Sequence, residues 1–288
     1  MIDISVIIVA WNSSDEIVNC VNSVIGALQG LDSELIIIDN NSADDSFALV
    51  NKINFPRLNT VRNSENLGYT KAINQGIKLS KGKYILLLNP DTILNDSSIK
   101  VMYDFLEANP AYGACAPLMK NPDGSVQYSV RNFPTYRRMF CEFSLLGYIF
   151  PKTKLFGSWK AKYMNYSLEQ DVEQPMAAAF MVRSKLLAEI ENMDERFRMF
   201  FNDVDLCRKI YDAGFKIKLL PSSVVIHEHG ASIKKDRANM IRIWNDDCTK
   251  YFEKHFGRSL LLVWLKLNLK ISGIIRVLLA KYNRFTCL

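Results

Sequence analysis

The chain has 288 residues, 49% of them hydrophobic and 23% charged, with a formal net charge of +6. This excludes a disordered or collagen-like chain and allows one large globular domain or two small ones. The positive excess is too mild to predict an anionic partner by itself, and no nucleic-acid partner is expected. The six cysteines form no C-x-x-C pair, which removes zinc-ribbon and thioredoxin readings. Reduced, mostly buried thiols in a cytoplasmic protein are expected instead.

The opening MIDISVIIVAWN has no basic leader and too short an apolar run for a signal peptide, so Ile4–Ala10 reads as a first strand. Apolar positions Ile17, Cys20, Val21, Val24 and Leu28 follow at helical spacing, with Ser13 or Ser14 available as the cap. Glu34–Asp39 is a second buried strand, followed by the turn NNSADDS and a helix over Phe47–Ile53. Asn59–Arg62 is a short strand. NLGYTKAINQGIKLS turns at its glycine and runs as a helix through Lys78, and Tyr84–Leu88 is the next strand.

Ala111–Glu173 is irregular, with a hairpin turn at Asn121–Gly124 and the aromatic, basic run RNFPTYRRMF. EQPMAAAFMVRS reads as a strand entering a small-residue segment. FNDVDLCRKIYDAGF reads as a helix capped by Asn202 and ended at Gly214. KIKLLPSSVVIHEHG reads as one or two strands ending at two histidines.

Strands buried on both faces and joined by helices predict an α/β fold with a mostly parallel central sheet flanked by helices. Such sheets bind ligands beyond the carboxyl ends of their strands. That rule selects Trp11-Asn12, Asp39-Asn40 and Asn89-Pro90-Asp91, and it predicts that they converge on one crevice. The chain lacks G-x-G-x-x-G, G-x-x-x-x-G-K-[ST] and G-x-S-x-G, against dinucleotide, P-loop and α/β-hydrolase readings. A carboxylate beside a phosphate makes sense with a divalent cation between them, which makes Asp91 a candidate metal ligand; a turn aspartate is the alternative. His227 or His229 could add an imidazole, which Mn²⁺ tolerates better than Mg²⁺ does. On a helix over Asp203–Asp212, Asp203 shares the face of Leu206, Cys207 and Ile210, whereas Asp205 falls toward the solvent side. Asp203 is therefore a candidate general base, or else a first-turn aspartate complementing the helix dipole.

Together these segments resemble family 2 of the inverting glycosyltransferases, closest to its rhamnosyltransferase-like members. The resemblance rests on SVIIVAWNS, IIIDNNSADDS, NLGYTKAINQGI, YILLLNPDTIL, MDERFRMFFNDVDLCRKIYDAGFKIKLLPSSVVIHEHGAS and KYFEKHFG in that order. It implies the GT-A nucleotide-diphospho-sugar transferase fold. It also implies that Trp11 and Asn12 border the base and ribose, Asp39 bonds the pyrimidine, and Asn66 and Gly68 lie near ribose and diphosphate. Asn89-Pro90-Asp91 stands at the family's Asp-x-Asp motif, Asp91 keeping the second acid and Asn89 replacing the first. His227 matches the position that completes the metal shell for Mn²⁺ or Mg²⁺. Asp203 matches the catalytic base of the Glu-Asp motif, with Asn202 in place of the glutamate.

The implied substrates are a nucleoside-diphosphate sugar, dTDP-rhamnose or a UDP-sugar, and a saccharide or lipid-linked acceptor in cell-surface polysaccharide synthesis. RNFPTYRR could face the acceptor or its lipid pyrophosphate. The expected organisation is a transferase domain over 1–257, divided into a nucleotide-sugar half (1–110) and an acceptor and catalytic half (111–257), followed by a basic amphipathic tail over 258–288. Lysines interrupt that apolar tail before it reaches the length of a membrane span, which suits a helix lying on the inner face of the membrane or packing on protein, a homodimer partner included. Two rival readings are a sugar nucleotidyltransferase, disfavoured by AWNSSDE where a Gly-rich basic loop belongs, and a non-catalytic sugar-nucleotide or polysaccharide-binding domain.

Overall fold

A computed structural model describes residues 2–144, 146–228 and 237–281, the side chains of Tyr148, Arg237 and residues 279–281 excepted. His229 and Cys287 lie outside the described residues. The other five cysteines are buried and unbridged.

The first half alternates strand and helix: β1 (Ile4–Ala10), α1 (Ile17–Ala27), β2 (Ser33–Asp39), α2 (Ser46–Val50), β3 (Leu58–Arg62), α3 (Tyr69–Leu79), β4 (Tyr84–Leu88), β5 (Thr92–Leu94) and α4 (Ser98–Ala108). The second half is less regular: β6 (Tyr112–Lys120), β7 (Val130–Arg131), α5 (Tyr136–Phe143), α6 (Leu146–Ile149), β8 (Gln170–Asp171), β9 (Gln174–Pro175), β10 (Ala179–Arg183) and α7 (Ser184–Glu189). α8 (Asn202–Asp212), β11 (Lys216–His227), α9 (Arg237–Phe256) and α10 (Leu260–Lys281) follow.

One sheet runs β3-β2-β1-β4-β10-β6-β11-β5, with β8 also pairing β11. β3, β2, β1 and β4 are parallel, while β10 enters antiparallel between β4 and β6. The sheet thus draws strands from both sides of residue 110. Every residue of β1, β2 and β4 is buried. Their alternate side chains feed two apolar layers: Ile4, Val6 and Ile8 meet α1 and α4, whereas Ile7 and Val9 meet α3. Burial on both faces is why these strands read as continuous apolar runs. β11 carries Pro221 inside a strand, and the register shifts between Leu220 and Val224 so that no ladder bond is asked of the proline.

Two capping expectations fail. Ser13 and Ser14 do not cap α1 with their side chains; the residue before the helix is Glu16. Their backbone N–H groups are instead held by Ser46 Oγ at 2.8 Å and Asp44 Oδ2 at 3.0 Å, because the loop after β2 folds back over them. Asn202 is the first residue of α8 rather than its cap, a place taken by Phe201 at φ 57°. The far end is as expected. Gly214 at φ +85° lets its own N–H reach Tyr211 O and that of Phe215 reach Ile210 O, closing a Schellman motif.

Candidate active site

Strand order reverses around β1, so its neighbours β2 and β4 open a crevice at their carboxyl ends. Trp11 and Asn12, half-buried, leave β1 there, with Asn12 at φ 52°. Asn12 Oδ1 accepts from Ala43 N at 2.8 Å, and Asn12 N donates to Ser42 Oγ at 3.0 Å. That side chain therefore braces the loop after β2. Asp39 ends β2 at 2% exposure. Its Oδ2 accepts from Ser42 N at 3.2 Å and lies 3.5 Å from Arg62 Nε, whereas Oδ1 is sealed without a hydrogen bond.

Asn66 and Gly68 lie in the loop before α3. Asn66 Oδ1 accepts from Gly68 N at 2.9 Å and from Asn40 Nδ2 at 3.0 Å. Asn40 Oδ1 in turn accepts from Leu67 N at 3.0 Å and Asn63 Nδ2 at 3.1 Å. Asn66 thus shapes the loop with its side chain. Gly68 is buried at φ +84°, a conformation that favours glycine, and a Cβ there would stand a tight 3.0 Å from Arg198 Cγ.

Asn89 N bonds Ala178 O at 2.9 Å, the last ladder contact beyond β4 before Pro90. Asp91 then leads into β5, its carbonyl accepting from Glu228 N at 3.0 Å, and its Oδ1 is sealed without a hydrogen bond, 3.4 Å from His227 Nε2. His227, 3% exposed, has its Nδ1 2.8 Å from Gln127 Oε1. Gln127 Nε2 donates to Asn121 Oδ1 and to the His227 carbonyl, which turns Oε1 toward the imidazole. In the neutral ring Nδ1 then carries the proton, and Nε2 turns a lone pair toward a carboxylate oxygen. Two electron-rich atoms in that relation fit a cation between them. No cluster of three acidic, histidine or cysteine ligands occurs among the described residues, so further ligands would have to be water or substrate oxygens, as is usual for Mg²⁺.

Asp203 is half-buried on the first turn of α8. Its Oδ2 accepts from Gln174 Nε2 at 3.0 Å and its Oδ1 from Val204 N at 2.8 Å. Burial raises its pKa above the usual carboxylate value, against the Arg131 guanidinium and nearby backbone N–H groups. Asn202 Nδ2 donates to Thr70 Oγ1 at 3.1 Å, tying α8 to α3. Tyr69 Oη is sealed and unpartnered; burial first, then the charges of Asp203 and Asp91, push its pKa up.

Asp205 corrects the helical-wheel expectation. It is fully buried, with Lys254 Nζ 2.7 and 2.8 Å from its oxygens and His255 Nε2 at 2.8 Å. α9 supplies both partners and covers the face that α8 alone would turn to solvent. Residues not assigned from the sequence are Tyr69, Gln127 and Gln174, while Asn40, selected as a strand-end group, turns out to pair with Asn66 and Asn63. Gln127 and Gln174 work through partners remote in the chain, and Tyr69 through its burial beside Asp203 and Asp91, so local spacing gave no signal. Of six buried side-chain polar atoms lacking a hydrogen bond among the described residues, four belong to this region: Asp39 Oδ1, Tyr69 Oη, Asp91 Oδ1 and Gln174 Oε1. Orphaned buried atoms are rare, and such a concentration marks a place shaped for a ligand. A cavity of about 690 Å³ lined by Lys78, Glu191, Arg196 and Lys254 involves none of these residues, and Asp194 already pairs with its Arg196 and Lys254.

The fold is that of the nucleotide-diphospho-sugar transferases called GT-A. S. aureus TarS 1-349 superposes with a TM-score of 0.56 at 17% identity, covering 97% of this chain and 81% of that one. The description "Glycosyl transferase family 2" matches residues 5–169, and the chain belongs to that family. It is a glycosyltransferase. An N-acetylglucosaminyl-diphospho-decaprenol L-rhamnosyltransferase of Mycobacterium tuberculosis is 28% identical over 221 residues, 71% of this chain and 69% of the relative. A UDP-Glc:alpha-D-GlcNAc-diphosphoundecaprenol beta-1,3-glucosyltransferase, WfaP, of Escherichia coli is 31% identical over 109 residues, 38% of this chain and 43% of that protein.

Proposed function

We propose that the chain moves a sugar, with inversion, from a nucleoside diphosphate to a lipid-diphosphate-linked saccharide during cell-surface glycan synthesis. The observation that carries this reading is the set of orphaned polar atoms in this region, two of them on carboxylates at the strand outlets. Rhamnose from dTDP-rhamnose is the favoured donor sugar because the relative aligned over most of both chains is a rhamnosyltransferase. UDP-hexoses are the second choice, supported by the E. coli relative.

In this reading Asp39 Oδ1 accepts from the pyrimidine ring N–H, and Trp11 walls the base. The loop shaped by Asn12, Asn66 and Gly68 borders ribose and diphosphate, with Asn89 beside it. Asp91 and His227 would hold a Mn²⁺ or Mg²⁺, whose charge offsets that of the departing diphosphate. Asp203 takes the proton of the acceptor hydroxyl as its oxygen attacks the anomeric carbon from the face opposite the diphosphate. Its raised pKa gives the base more proton affinity than an ordinary aspartate. Gln174 holds the carboxylate in place at 3.0 Å.

Residues 1–257 form the transferase unit, and 258–288 rest on the inner face of the membrane. α10 supports that placement. Leu262, Leu265 and Leu269 are buried, while Val263, Leu267, Ile271, Ile274 and Leu278 are each at least half exposed along the other side. Lys266 and Lys270 flank the exposed stripe, as in interfacial helices. No helix among the described residues is long and apolar enough to cross a membrane.

Thermal shift against dTDP-rhamnose and UDP-hexoses, with and without Mn²⁺ or Mg²⁺, tests the reading. Metal-dependent stabilisation by one of them is the expected result. Failure of every sugar nucleotide to stabilise the protein would overturn it.

A further inference from the structure

Arg131 is a cation that the proposed chemistry leaves unused. It sits on β7, opposite Gln174 in the short antiparallel ladder with β9. Directly opposed residues share a face, so the guanidinium lies on the side of the amide that holds Asp203. Trp159, 7% exposed, packs under it with the guanidinium carbon 4.9 Å from a ring centroid. Among the described residues, no oxygen accepts a hydrogen bond from that guanidinium and no carboxylate forms an ion pair with it. Its neighbour in sequence behaves otherwise: Arg138 donates to Glu173 Oε2 at 2.9 Å and to Phe133 O at 2.6 Å.

Such a planar donor fork, held by stacking and left open, suits a phosphate. Beside it, Gln174 Oε1 is buried at a residue 4% exposed and is itself unpartnered. Burial lowers the pKa of Arg131 from its ordinary value, against the charges of Asp203 and Glu142. Its place opposite Gln174 puts Arg131 on the Asp203 side of the cleft. From Trp159 the aromatic surface continues to Trp244 on α9, with centroids 6.2 Å apart, and Arg276 of α10 lies 5.2 Å from the Trp244 ring. The open fork thus connects through packed rings to the helix that bears the exposed apolar stripe.

We infer that Arg131, stacked on Trp159, is an anion subsite that reads the diphosphate of a lipid-linked acceptor while Asp203 faces the acceptor sugar. Gln174 Oε1 accepts from a sugar hydroxyl in the same subsite. This rests on the transferase reading for the identity of the acceptor, but the anion site itself does not.

Calorimetric titration with geranyl diphosphate, metal chelated, tests it, with geraniol and inorganic pyrophosphate as the two partial probes. Geranyl diphosphate should bind the parent more tightly than either. Arg131→Gln should weaken it about tenfold or more, the size of a lost charge-assisted contact, and Asp91→Ala should leave it unchanged. Arg131→Lys keeps the charge without the fork and should fall between, which serves if the glutamine variant melts early. Equal affinity in parent and both Arg131 variants, or loss in Asp91→Ala, would overturn the subsite. Pyrophosphate binding as tightly as geranyl diphosphate would overturn the lipid-linked assignment. Sugar-nucleotide titration with Mn²⁺ reads the transferase assignment separately. If that fails while the Arg131 dependence stands, the donor reading falls and the anion subsite survives.

Discussion

Gln127 and His227 lie 100 residues apart in sequence and meet at 2.8 Å, Oε1 to Nδ1. The amide fixes the imidazole tautomer so that Nε2 faces Asp91. Removing that partner should disturb any bound metal without touching a ligand. Gln127→Leu should weaken Mn²⁺-dependent donor binding by about 10–100-fold, the usual effect of losing a group that orients a ligating histidine. Donor titrations across a Mn²⁺ series would show it; an unchanged metal dependence would remove Gln127 and His227 from the metal site.

Asp203→Asn should lower kcat by about 10²–10⁴-fold while leaving donor affinity nearly intact. Unchanged kcat would sink the assignment of Asp203 as base.

The same substitution should stabilise the fold at neutral pH. Burial raises the folded-state pKa of Asp203 above its unfolded value. The folded state then binds the proton more tightly, so this residue's contribution is fully present below the unfolded pKa and is lost as pH rises through the folded one. The neutral asparagine avoids that loss. A melting temperature for Asp203→Asn above the parent at pH 7, with the difference shrinking as pH falls, is the expected outcome. The parent's acid limb of kcat/KM should also lie above the ordinary aspartate range.

Asp205→Ala acts in the opposite direction. It leaves His255 without its carboxylate and Lys254 with Asp194 alone, and should cost about 1–3 kcal/mol in denaturant unfolding. A loss below about 1 kcal/mol, the scale of exposed pairs, would show that the cluster does not brace α8 on α9.

The stripe on α10 is tested by Leu267→Glu with Ile271→Glu, because deletion of 258–288 would also uncover the bed of Leu262, Leu265 and Leu269. Partition onto anionic vesicles should fall about tenfold or more per residue, from the lost burial of each side chain. Equal partition, with the parent sedimenting as a dimer and the variant as a monomer, would assign the stripe to a second copy of the chain.

The sequence alone determined the strands and their outlets. β1, β2 and β4 are buried on both faces, so their apolar runs were legible, and Asp39 and Asp91 fell past their ends. The helices α1, α3 and α8 showed in apolar spacing, because each packs one stripe on the sheet. Tertiary structure decided what each polar group does. The wheel of α8 turned Asp205 outward, and α9 buried it. Asn12 and Asn66 were expected to border the ligand, and folding uses their side chains to shape the loops at that border. Arg131 and Arg138 look alike in RNFPTYRR; Glu173 takes one and Trp159 stacks under the other. Periodicity reports a side chain's own element, whereas partners arrive from elements a hundred residues away, so burial patterns are local and hydrogen-bond assignments are not.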